Sequence, residues 1–67
     1  MILLNGQSAD VQAGEPVSAI LRHMCLDPDA RGVAVAVDGE VVPRAQWDSF
    51  ALPEDARVEV LGAMQGG

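Results

Sequence analysis

Apolar and polar positions along the chain alternate in short blocks, and each block is closed by a turn signal. Ile2-Leu3-Leu4 opens apolar and runs straight into Asn5-Gly6. Asn-Gly suits a two-residue type I′ turn, because both central positions need φ > 0. Gln7 to Gln12, with Val11 apolar, reads as the returning strand of an N-terminal β-hairpin. Ala13-Gly14-Glu15-Pro16 breaks the pattern. Val17, Ile20, Leu21 and Met24 then recur at i, i+3, i+4 and i+7, one apolar stripe on a helix. The expected helix spans residues 16–25, with Pro16 tolerated in its first turn and Glu15 placed near the positive end of its dipole. Leu26-Asp27-Pro28 stops it, since the residue before proline avoids the helical region.

After an expected loop at Asp29-Ala30-Arg31-Gly32, Val33 to Val37 is apolar at every position and β-branched at alternate ones. That pattern predicts a strand inside a sheet, covered on both faces. Asp38-Gly39 is a second tight-turn signal, with Glu40-Val41-Val42 as the return and Pro43 as the stop. Arg44 to Phe50 has no clean period and reads as a turn or a single helical turn. Residues 52–56 form another turn, and Arg57 to Leu61 is the last strand, with Val58 and Val60 on one face and Gly62 at its end. The order β-β-α-β-β-turn-β predicts a two-layer α+β domain, residues 1–62, with one helix covering one face of the sheet. Residues 63–67, Ala63-Met64-Gln65-Gly66-Gly67, are expected to project from the last strand as a flexible tail.

Composition narrows the classes. A chain of 67 residues holds one core and buries only roughly 60% of its unfolded surface, which leaves no room for a deep substrate cavity. The apolar fraction of 49% favours a folded domain, and with Trp47 and Phe50 as the only aromatics that core must be mostly aliphatic. The formal net charge is −6 with no Lys, so a nucleic-acid backbone or an anionic membrane surface would repel the chain. A partner with a basic docking face is the electrostatic complement; solubility alone would also account for the charge. One cysteine allows neither an intrachain disulfide nor a Cys-rich metal or iron–sulfur site. No secretory signal and no apolar run of about 20 residues is visible, so a soluble, cytoplasmic protein is expected.

Few side chains suggest chemistry. There is no Ser/His/Asp set and no Walker-type nucleotide loop. His23 beside the apolar stripe is expected to face solvent rather than a metal. Cys25 is expected in the core, as free cysteines commonly are. Trp47 is expected to pack in the aromatic-poor core rather than to anchor an interface. Glu54, Asp55 and Glu59 either dock a basic partner or form a solvated face. The tail is different. Fully extended, five residues span at most roughly 17 Å, enough to enter another protein's active site while the domain stays outside. Terminal glycines carry no side chains to block a narrow channel and accept φ values that other residues refuse.

Those features converge on a resemblance. Met1-Ile2-Leu3-Leu4-Asn5-Gly6-Gln7, the stretch from Gly32 to Arg44 with Val41-Val42-Pro43-Arg44, then Trp47, Arg57-Val58-Glu59-Val60 and the ending Met64-Gln65-Gly66-Gly67 resemble the ThiS family almost end to end. These are sulfur carriers of bacterial thiamin biosynthesis with a ubiquitin-like β-grasp fold, a mixed sheet of about five strands on one main helix. Three positions depart from the family's usual pattern: Asp38 for Asn, Pro16 for a capping Thr, and a 53–56 turn without glycine. The resemblance implies that an E1-like, ThiF-type adenylating enzyme uses ATP to activate the carboxyl of Gly67. A persulfide sulfur donor then displaces AMP, and a ThiG-type thiazole synthase takes the sulfur from the resulting thiocarboxylate. Gly66, Gln65 and Met64 would thread the partner's active site. The chain would bind no cofactor stably and would be a co-substrate, not an enzyme. The rival readings are a carrier like the molybdopterin-synthase small subunit, a ubiquitin-like modifier, and a β-grasp binding module.

Overall fold

The computed structural model describes residues 1–26 and 32–62; the expected loop over 29–31 and the tail 63–67 lie outside them. Strand β1, Ile2–Leu4, pairs antiparallel with β2, Gln7–Ala9, in the register Leu4↔Gln7 and Ile2↔Ala9. The connection is the expected type I′ turn, with φ of 51° at Asn5 and 85° at Gly6. β2 is shorter than expected. Val11 lies beyond it and is buried in the core from the following loop.

Helix α1 spans Val17–His23 and buries Val17, Ile20 and Leu21 completely, with Met24 packed at the edge of the same stripe. Pro16 stands just outside the helix as its extended N-cap, and no side chain caps that end. The donors of the first turn that lack a partner within the helix are satisfied from elsewhere. Val17 N–H donates to the Phe50 carbonyl at 3.1 Å, and Ser18 N–H to the Trp47 carbonyl at 2.9 Å. The segment after β4 thus replaces the missing hydroxyl at the helix start. Glu15 Oε2 accepts the Gln12 N–H at 2.8 Å.

The C-terminal end corrects the expectation for Cys25. The helix stops at His23, and the chain closes in a Schellman motif. Leu26 N–H donates to the Leu21 carbonyl at 2.8 Å, and Cys25 N–H to the Arg22 carbonyl at 3.0 Å. Cys25 takes the left-handed position with φ of 61°, and its side chain is exposed. The core position goes to Leu26, which packs on the hydrophobic cluster.

β3, Val33–Val37, and β4, Glu40–Val41, form the second hairpin around Asp38-Gly39, with φ of 51° and 88°. Val35 and Val37 are buried, whereas Ala34 is exposed and Ala36 half-buried. β3 is therefore interior to the sheet but covered on one face only, because the single helix cannot cover both. A 3-10 turn at Arg44–Gln46 follows, as the single helical turn expected there. It delivers Trp47 into the core, 4% exposed, where Nε1 donates to the Val42 carbonyl at 2.9 Å. The Arg44 guanidinium lies over the indole, 4.6 Å from the ring centroid. β5, Arg57–Gly62, runs parallel to β1 and antiparallel to β3, giving the sheet order β2-β1-β5-β3-β4. This is the mixed five-stranded sheet with one main helix expected of a β-grasp domain.

A non-glycine residue in the left-handed region costs on the order of 1 kcal/mol. Cys25→Gly is therefore expected to raise unfolding free energy by about 0.5–1 kcal/mol in urea denaturation. A lower stability would show that the thiol makes a contact worth more than the strain.

Candidate functional site

β5 is the base from which residues 63–67 continue, so its mounting sets where they begin. Its side chains alternate, with Val58 and Val60 buried and Arg57, Glu59 and Leu61 exposed. β3 holds one side of β5 along its whole length, from Val37↔Val58 to Val33↔Gly62. The start of the strand is fixed by Asp38, whose Oδ1 accepts the Arg57 N–H at 2.9 Å while its own N–H donates to the Arg57 carbonyl at 2.8 Å. On the other side, β1 contributes Leu3 N–H to the Ala56 carbonyl at 3.0 Å and Asn5 N–H to the Val58 carbonyl at 2.8 Å. The Asn5 side chain then continues the pairing. Its Oδ1 accepts the Val60 N–H at 2.9 Å, and its Nδ2 donates to the Val60 carbonyl at 3.3 Å.

The face of the sheet away from the helix is open. Register places Ala34 opposite Leu61, and Ala36 opposite both Glu59 and Val41. Leu61 is 69% exposed and Val41 72%, unusual for residues of that size. Small alanines between two projecting aliphatics make a shallow apolar surface beside the end of β5. Arg57 and Glu59 line two shallow grooves, one shared with Leu3, Gly6 and Val58 and the other with Asp38 and Gly39.

Of the residues expected to act, Met64, Gln65, Gly66 and Gly67 lie outside the described residues. His23 is exposed at the last helical position, and Trp47 is a core residue, both as expected. The acidic set does not form one patch. Glu59 faces outward from β5, whereas Asp55 in the preceding turn binds the Met1 amino group at 2.8 Å. Among the described residues, no three His, Cys, Asp or Glu side chains are grouped to hold a metal ion, and no helix is long and apolar enough to cross a membrane. The side-chain roles of Asn5 and Asp38 in holding β5 were not visible in the sequence. Both read only as turn residues, because their partners are 55 and 19 positions away.

Residues 2–67 match the ThiS family. The chain is 30% identical over 66 residues to the sulfur carrier protein ThiS of Escherichia coli, covering 98% of this chain and 97% of that one. It superposes on the crystal structure of the thiamine biosynthesis protein ThiS from Geobacter metallireducens with a TM-score of 0.72 and 28% identity, covering 98% of this chain and 97% of that one. The described residues share its ubiquitin-like β-grasp architecture.

The Met1–Asp55 pair ties the start of β1 to the turn before β5, and Asp55 itself takes φ of 57° where a glycine would fit readily. The hydrogen bond to Asp55 raises the amino group above its ordinary 8.0, and the same bond lowers the Asp55 carboxyl below 3.8. A raised amine stabilises below its unfolded value and loses that contribution as pH rises through the folded one. A depressed carboxyl stabilises above its unfolded value and loses that contribution as pH falls. Asp55→Asn, which also tolerates the left-handed backbone, should therefore be slightly less stable than the parent at neutral pH. The difference should fade as pH falls below 3.8 and shrink in alkali above pH 8.0. Because the pair is fully exposed, added salt should also erase it. A difference unchanged by both acid and added salt would rule out the ion pair as its source.

Proposed function

Because this chain belongs to the ThiS family, we propose that it works as a sulfur carrier in thiamin biosynthesis, with the carboxyl of Gly67 as the carrying group. The observation that supports this most is the reach of the family match. It runs through the whole domain and on to the terminal Gly66-Gly67. A domain whose central strand ends at Gly62 leaves five residues to carry a carboxylate away from its own surface.

A carboxylate is a poor electrophile because its negative charge repels nucleophiles. In the proposed sequence a Gly67 oxygen attacks the α-phosphate of ATP on the adenylating partner, and pyrophosphate leaves. The terminal sulfur of a persulfide attacks the acyl-adenylate, and AMP leaves. A thiol then cleaves the S–S bond and frees the thiocarboxylate. Its sulfur is a strong nucleophile, which a thiazole synthase can use. Gly66 supplies the slim approach, while Gln65 and Met64 hydrogen-bond and pack within the partner's channel. ATP belongs to the partner, so this chain acts as a protein co-substrate in the cytoplasm. The open face around Val41 and Leu61 gives a partner an apolar surface next to the start of the tail.

Deleting Gly67 is expected to abolish thiazole formation in a reconstituted system and to leave the melting transition unchanged, since the deletion lies beyond β5. Thiazole formation by the truncated protein at the parent's rate would refute the assignment of the carboxyl.

A further inference from the structure

We propose that Asn5 is a positioning residue for the sulfur-carrying end of the chain. In this role its side-chain amide fixes the end of β5 on the side where no strand is left to pair with it. The role rests on the carrier reading above.

The ladder between β1 and β5 runs only through Leu3↔Arg57 and Leu4↔Val58. At Asn5 the backbone leaves β5 to turn toward β2. Asn5 still holds two further points on β5: its N–H bonds the Val58 carbonyl, and its amide bonds both backbone groups of Val60. The amide thus stands in for a peptide unit that β1 does not have. Its orientation follows from chemistry, since a flipped amide would set oxygen against the Val60 carbonyl and NH₂ against the Val60 N–H.

Few residues can do this. The position needs φ of 51°, which Gly, Asn and Asp adopt most readily. Gly has no side chain to reach Val60. Asp offers an acceptor to the N–H but sets negative charge against the carbonyl. Asn alone satisfies both groups. Val60 is two residues before Gly62, where β5 ends, and past Val58 the backbone pairing of β5 comes from β3. Without the amide, the last residues of β5 would be tied on one side and could peel or twist, spreading the directions in which the carrying end leaves the domain. A partner that captures one direction then sees a smaller competent fraction, which weakens apparent affinity without changing the chemical step.

The test compares the parent with Asn5→Gly, which keeps the turn and removes the amide, and with Asn5→Asp. Amide exchange on the isolated proteins should show faster exchange at Val60 in Asn5→Gly, with Val42, bonded to the Val35 carbonyl, unchanged. In ATP-dependent adenylation by the cognate enzyme, KM for the carrier should rise about three- to tenfold in Asn5→Gly. kcat should stay within about twofold, and Asn5→Asp should fall between. General destabilisation would not produce this split at a temperature where every variant is folded. Parent-like KM in Asn5→Gly, or a loss confined to kcat, would overturn the positioning role and leave the carrier reading standing. Failure of the parent itself to be adenylated would overturn both.

Discussion

The proposed function depends first on how β5 is held. It is the middle strand of the sheet, parallel to β1 and antiparallel to β3, and the last element before the terminal segment. Backbone pairing with β3 along its length and with β1 at its start makes it hard to move, and burial of Val58 and Val60 in the core adds a hydrophobic anchor of the order of 2 kcal/mol for each side chain. A small domain with an aliphatic core has little stability to spare. In the proposed carrier role, the working end follows directly on a strand that is paired to β3 along its length.

The helix and the segment after β4 support that strand from behind. α1 has no side-chain cap, yet its first donors are met by the carbonyls of Phe50 and Trp47. The same segment buries Trp47 against the core and ties its indole to Val42. Helix start, Trp47 and the end of the second hairpin thus form one connected unit under the sheet. The opposite face carries no helix, and there Val41 and Leu61 stand exposed beside small alanines, next to the end of β5. One face is spent on stability, which leaves the other available for a partner.

Local patterns carried most of the fold. Asn5-Gly6 and Asp38-Gly39 named their turns because few residues accept φ > 0, and Val17, Ile20 and Leu21 marked the buried face of the helix by spacing alone. What failed depended on distant partners or on where an element stops. Cys25 was expected inside because free cysteines commonly are buried, but the helix stops at His23, and in the Schellman motif Cys25 turns outward and Leu26 packs in its place. The all-apolar β3 suggested cover on both faces, but alanine is small enough to face solvent, and the exposed Ala34 does so. The clamp of Asn5 on Val60 spans 55 positions and has no local signature. The Gly-Gly ending, by contrast, is plain in the sequence and gains meaning only from the strand and the family behind it.

The proposed chemistry puts sulfur on the carboxyl of Gly67. The most direct measurement is to incubate the protein with its adenylating enzyme, ATP and a persulfide donor, label with a thiocarboxylate-selective reagent, and locate the label by peptide mass spectrometry. The account predicts a label on the C-terminal peptide at Gly67 that requires ATP. A Gly67 carboxylate left untouched by an enzyme shown to be active, or a label found on Cys25 instead, would contradict it.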